Sequence, residues 1–329
     1  MLGRRFVFAC LAAGIASIAT PQQLPPLNLE RVIQLPGVEG RLDHLGADGE
    51  GQRVYISAPG NSEVEIVDLR EGRRVERIAN INDPQGVLYS PARHALYIAS
   101  GGDGTVRSYD AHTLAPLKAV TLGQDADALR FDPVHNELLA AYGSGDIAVL
   151  GLDLTRVRDF RLPVHPESFQ LTPDAGRIFV NLPGNSSIGL IDRAAMAVNP
   201  DWIDLSANGN FAMALDGQAK RLLVSCRDPG ELLLIDTQSG HILDRIPSVG
   251  DADDLAFDAA SSTAFVIGAE GYVDVVHVGS SRLTSLAHVP TGSGARTGLF
   301  VPEWNRLVVA APRRGDTPAR LLVFSLARP

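Results

Sequence analysis

One stretch of this chain returns seven times, about every 42 residues. Its clearest form is Gln52-Arg53-Val54-Tyr55-Ile56-Ser57, a Gly/Asn turn, then Val64-Glu65-Ile66-Val67-Asp68. It returns as Leu96-Tyr97-Ile98-Ala99, as Ile178-Phe179-Val180-Asn181 and as Leu222-Leu223-Val224-Ser225, each followed by a second apolar run closing on Asp110, Asp192 or Asp236. Fainter copies lie at Leu138-Leu139-Ala140, Ala264-Phe265-Val266 and Leu307-Val308-Val309. A unit of this size cannot bury its own apolar face, so it must stack on copies of itself. The positions Arg53, Ala95, Glu137, Arg177, Arg221, Thr263 and Arg306 keep the register and fall just before the second strand of each unit.

Each unit reads as four short strands. The first holds small and apolar residues, as in Asp254-Leu255-Ala256-Phe257. The second is apolar throughout, as expected of a strand covered on both faces. The third ends in Asp at positions 68, 110, 192 and 236. The fourth alternates, as in His241-Ile242-Leu243-Asp244-Arg245-Ile246, which suits a solvent-facing edge. The seventh unit stops after Leu321-Leu322-Val323-Phe324 and lacks a fourth strand. Glu30 to Pro36 has the character of a fourth strand with nothing before it. The two are predicted to pair and close a ring, which removes free sheet edges.

Residues 1–19 read as a signal peptide. Arg4 and Arg5 form a basic start, Phe6 to Ala19 is apolar, and Ser17-Ile18-Ala19 is a small-x-small cleavage pattern. The run is short for a membrane span, and no later segment is long enough. Residues 20–27 read as a flexible segment and 28–329 as one domain. The expectation is a secreted, periplasmic protein with no membrane span in the mature chain. Arg4-Arg5-Phe6 hints at twin-arginine export without separating it from the general route. Only Cys10 and Cys226 are present. Loss of Cys10 with the leader leaves no partner for a disulfide, and Cys226 reads as a small buried apolar residue. The formal charge is −9, and Lys118 and Lys220 are the only lysines. An acidic chain with no basic block argues against nucleic-acid or anionic-lipid partners.

The repeats resemble the YVTN-type repeats of YncE-like secreted bacterial proteins. The resemblance rests on Val54-Tyr55-Ile56-Ser57 with Asn61 and Val67-Asp68, on Arg177-Ile178-Phe179-Val180-Asn181 with Asn185, and on Ile235-Asp236-Thr237-Gln238-Ser239-Gly240. It covers nearly the whole chain after residue 28. It implies an all-β, seven-bladed β-propeller with four antiparallel strands per blade. The signature encodes strands and turns rather than a site, so it lends no chemistry.

In such a ring the innermost strands converge on one central channel, whose mouth is the natural pocket. The approach to each first strand can be stacked in columns. One column reads Arg41, Asp83, Asp125, His165, Gly209, Asp251, Gly294. Two residues on, the other reads Asp43, Gln85, Asp127, Glu167, Phe211, Asp253, Arg296, with Asn210 as the alternative in the fifth unit. A period of two places both columns on one side of the chain. Carboxylates gathered at one mouth repel, so a cation binds, some carboxyls stay protonated, or Arg41 and Arg296 neutralise them. Asp43, Asp127, His165, Glu167 and Asp253 are the candidate ligands of a divalent metal ion. Arg41, Asp43, Gln85, Asp125, Asn210, Asp251 and Arg296 are candidate ligand-binding residues. The bland alternative, aspartates that only cap turns, stands beside this for each acid.

Two functions follow as expectations. The first is a binding or scaffold protein holding a small ligand, metal ion or protein partner at the mouth. The second is a metal-assisted hydrolase or lactonase, with His44, His165, Glu167 and Arg296 as candidate catalytic residues. His94, His135 and His241 read as solvent-facing, and His277 and His288 show no partner. Trp202 and Trp304 read as packing residues.

Overall fold

The computed structural model describes residues 27–327. The leader and most of the segment before the domain lie outside the described residues. The chain forms seven four-stranded antiparallel sheets, each built from consecutive strands except the last. Blade 1 is Leu45–Asp48, Arg53–Ala58, Glu63–Asp68 and Arg73–Ala79. Blades 2 to 6 repeat this order over 84–121, 129–161, 169–204, 208–247 and 252–290. Blade 7 takes Thr297–Val301, Arg306–Ala311 and Arg320–Leu326 from the C-terminus and Leu27–Gln34 from the N-terminus. The seven register positions expected just before the second strands are the first residues of those strands.

The closing strand runs antiparallel to Arg320–Leu326, with Leu29 opposite Phe324 and Gln34 opposite Arg320. It starts at Leu27, one residue before the expected boundary, because the Leu27 side chain is buried with Phe265, Phe324 and Leu326. Trp304 Nε1 donates to Gly49 O at 2.8 Å, which ties blade 7 to blade 1, and Arg306 Nε meets Glu30 Oε2 at 2.7 Å across blade 7, binding the closing strand to the C-terminal ones.

Burial follows the strand order. Second strands such as Ala95–Ser100 are buried at every position, whereas Ile242–Pro247 at the rim alternates half-buried and exposed residues. The repeated Asp at the end of the third strand has a local cause. Its carboxylate accepts backbone N–H groups of the turn that follows, Arg70 and Glu71 at Asp68, His112 and Thr113 at Asp110, Gln238 and Ser239 at Asp236. These aspartates take the place of backbone partners in a tight turn. Among the described residues no helix is long and apolar enough to cross a membrane.

Candidate functional site

The two polar columns meet at one end of the channel, around a cavity of about 220 Å³. They differ in backbone. Asp83, Asp125 and Asp251 of the first column have φ of 52°, 48° and 50°, and Gly209 and Gly294 have 68° and 83°. This left-handed region is open to Gly and tolerated by Asp, so the chain bends there; Asp83 and Asp251 lie outside the cavity, while Arg41, Asp125 and His165 of the same column line it. The Asp125 and Asp251 side chains are about half exposed, at 52% and 48%. The second column lies deeper. Asp43 is 3% exposed and Asp127 6%. Gly86 in blade 2 permits this depth, since a Cβ there would lie 2.2 Å from Asp127 O of blade 3.

Asn210 is not brought to the site. Its amide is fully buried and donates to Ser187 O at 2.8 Å and Asn181 Oδ1 at 3.2 Å, which ties blade 5 to blade 4. Phe211 takes the place in the cavity wall. The bulge between Asn210 and Ala212 sets which of the two faces the channel.

Arginines neutralise one side of the mouth. Arg41 bonds Asp43 Oδ2 at 2.5 Å and reaches Asp83 Oδ1 at 3.4 Å. Arg296 Nε lies 2.5 Å from Asp253 Oδ2. Arg227 also pairs with Asp253, lies 3.2 Å from Asp251, and stacks 3.5 Å from the centre of the Phe211 ring. Asp43 and Asp253, expected among the metal ligands, are therefore engaged by arginines and stand apart from the cluster opposite. Gln85 Nε2 donates to Asp125 Oδ1 at 3.1 Å along the rim.

On the other side no arginine among the described residues is ion-paired with the acids. Asp127, His165 and Glu167 each offer a ligand atom, and these atoms lie within 4.8 Å of one another. His165 Nδ1 faces Gly143 O at 2.5 Å. A carbonyl only accepts, so Nδ1 carries the proton and Nε2 turns inward, 3.9 Å from Asp127 Oδ2. Asp127 Oδ1 is buried with no hydrogen-bond partner. His44 approaches it from blade 1, its Nε2 3.8 Å away, while its Nδ1 bonds Asp254 Oδ1 at 3.1 Å.

The ionisation states follow from burial and neighbours. Burial pushes Glu167 up to about 7, with Asp127 adding to the shift and His165 opposing it. Asp43 is likewise raised by burial to about 6, with His44 opposing. Burial opposes charge on His165, but Asp127, Gly143 O and the nearby acids outweigh it and raise it to about 9. His44 is raised well above the ordinary value, burial being overcome by Asp254, Asp43 and Asp127. Asp127 itself is lowered: burial would raise it, and His165, His44 and Arg41 prevail. The site thus holds an ionised carboxylate between two protonated histidines, with one oxygen that has no hydrogen-bond partner.

Sequence reasoning missed Arg227, Asp254 and Ser168, which lie outside the two columns. It also missed a second acid–histidine group at the other end of the Leu129–Asp132 strand. There His135 Nδ1 lies 2.8 Å from Asp132 Oδ2, and Arg193 pairs with Asp132 and, at 2.5 Å, with Glu137. His288 bonds Asp274 and stacks on Tyr272 at 3.9 Å, so it too has partners. Cys226 is buried and its thiol is pushed up to about 12 by burial, which makes it an inert packing residue.

No family model matches the chain, and no curated protein matches it in sequence. Solved structures do match in fold. A chain of the mitotic checkpoint complex has a TM-score of 0.77 at 16% identity, over 99% of this chain and 100% of that one. A chain of Kuenenia stuttgartiensis hydrazine synthase gives 0.74 at 16%, over 86% and 99%. The WD40 repeats of RRP9 give 0.77 at 10%, over 92% and 100%. At these identities the likeness shows the β-propeller fold alone, a general scaffold for binding partners.

Proposed function

We propose that this chain is a secreted, periplasmic binding protein of the YVTN-repeat, YncE-like type, whose channel mouth holds a divalent metal ion on Asp127, His165 and Glu167. The observation that carries the reading is the convergence of three ligand atoms within 4.8 Å around a buried carboxylate oxygen that has no partner. An unsatisfied buried oxygen is costly unless something binds it. Two carboxylates and an imidazole suit a transition ion such as zinc, at ligand distances of about 2.0–2.2 Å. The Gly143 carbonyl behind His165 is the outer partner that metal-bound imidazoles use. The bound ion, together with the arginine-lined half of the mouth, would present a small ligand or protein partner with a mixed-charge surface.

Elemental analysis and zinc titration of the purified chain test this. The wild-type chain should bind one equivalent, and Glu167→Gln should weaken it by about 100-fold, as for loss of a direct ligand. Metal content near zero in both would remove the site. One observation favours the hydrolase as a second reading. His44 is oriented by Asp254 and directs Nε2 at the same carboxylate, the arrangement of an acid–base histidine. An enzyme should lose all turnover of lactones or esters on chelation and in His44→Gln. A binder should show no turnover in any form.

A further inference from the structure

Beneath the mouth the channel opens into a second, larger cavity of about 500 Å³. Small-molecule sites span about 300–1,000 Å³. Its wall mixes polar and apolar surface, and Leu88, Leu215, Phe257 and Leu299 lie half-buried along it. Asp254, on the same wall, is fully engaged: Oδ2 accepts Gly298 N–H at 2.9 Å and Oδ1 meets His44. Arg130 is not. Its Nη1 donates to Leu129 O at 2.8 Å, its Nη2 donates to Ser168 Oγ at 3.2 Å, and its guanidinium lies 5.6 Å from the centre of the Phe169 ring. Among the described residues it has no ion-pair partner, whereas Arg41, Arg193, Arg227 and Arg296 each have two.

A guanidinium has five N–H donors, and a partly buried one without a counter-charge is left with donors to satisfy. Burial accordingly lowers the Arg130 pKa, with Asp254 and Asp127 opposing from a distance. Ser168, its hydrogen-bond partner, also lines the mouth, so Arg130 stands where the two cavities adjoin. The arginine fork matches a carboxylate in two parallel bonds. We propose that the channel binds a small organic carboxylate with an apolar body, its charged end on Arg130 and its body along Leu88, Leu215, Phe257 and Leu299. An inorganic oxyanion would satisfy the arginine and leave those apolar side chains wet. A neutral ligand would leave the arginine unpaired.

Calorimetric titration of the full chain in EDTA keeps this separate from the metal reading. Hexanoate is the probe, with hexanamide and inorganic phosphate as controls. Hexanoate should bind saturably, one per chain, and at least tenfold tighter than either control. Arg130→Gln should weaken hexanoate at least tenfold and leave hexanamide binding unchanged, and in a separate titration without EDTA it should still bind one zinc. Leu299→Trp, which fills the channel, should weaken hexanoate likewise. Equal binding of hexanoate and hexanamide, equal binding of phosphate, or no hexanoate binding by the wild-type chain would overturn the proposal. Those comparisons need no variant, so they decide the matter even if Arg130→Gln fails to fold.

Discussion

The strand Leu129–Asp132 has an Asp–His–Glu group at each end, and the two groups have opposite electrostatics. At the outer end Asp132, His135 and Glu137 surround Arg193 from blade 4. Every strong acceptor there has a partner: Asp132 also takes the N–H groups of Val134 and His135, and Arg193 donates further to Ala175 O. At the channel mouth Asp127, His165 and Glu167 have the same residue types and similar spacing, but no arginine among the described residues is ion-paired with them. One group has a guanidinium bonded to its carboxylates. The other has two histidines near its carboxylate and one oxygen with no hydrogen-bond partner. Residue type and proximity alone would rate the two equally as metal sites. The position of one guanidinium separates a clamp between blades from a binding site.

The strongest challenge to the comparison is to its frame. Both groups bridge blade 3 to blade 4, so both require a closed ring. Deleting residues 28–36 removes the closing strand and should abolish cooperative unfolding, as read by circular dichroism and calorimetry. A truncated chain that melts like the full one would show that the ring closes some other way.

Next in size is the clamp itself. Arg193→Met strands Asp132, which is fully buried, and should cost about 3–5 kcal/mol in denaturant unfolding. A loss below about 1 kcal/mol would mean that Asp132 is held by its turn and His135 alone, and the contrast with the mouth would shrink.

The pH dependence should distinguish the two ends. Asp43 at about 6 and Glu167 at about 7 hold protons more tightly folded than unfolded, so ionising them destabilises the fold as pH rises through about 4 to 7. His165 at about 9 contributes stability below about 6.5 that is lost as pH rises through 9. All three act in one direction, so the metal-free chain should lose on the order of several kcal/mol between pH 5 and 8. Saturating zinc favours the deprotonated ligands and should flatten or reverse that slope. Asp132 behaves differently: burial would raise it, but Arg193 and His135 lower it, and its contribution fades only below about pH 4. A stability profile flat from pH 5 to 8 without metal would sink the account of the mouth.

The smallest effect is the most telling. At pH 8 Glu167→Gln removes a carboxylate whose charge the metal-free fold resists, and should stabilise that form by up to about 2 kcal/mol. The same substitution at Glu137 removes an arginine partner and should destabilise. Denaturation of both variants in EDTA reads the two signs directly, and equal signs would erase the distinction.

Much of the architecture was legible in the sequence because its causes are local. The apolar runs, the Asp that ends each third strand and the orphan fourth strand at the N-terminus each reflect turn chemistry or strand periodicity within one unit. The site was legible only in part. Asp43, Asp127, Glu167 and Asp253 fell into one column because the ring repeats. Of the other column, Arg41, Asp125 and His165 also line the mouth, whereas Asp83 and Asp251, both left-handed, do not. In blade 5 the bulge between Asn210 and Ala212 gives the place to Phe211, as the column read it, and not to the alternative Asn210.

By itself the sequence determined that seven similar sheets must stack and close, and that acids must gather at one opening, since burial of each unit's faces leaves no other arrangement. Only the tertiary structure decided which acids are neutralised. Arg227 near the end of the second strand of blade 5 meets Asp253 of blade 6, Arg193 crosses from blade 4 to blade 3, and Arg130 has no ion-pair partner among the described residues. Those pairings depend on where long side chains end in space, over separations of a few ångströms between segments tens of residues apart, and no periodicity along the chain encodes that distance.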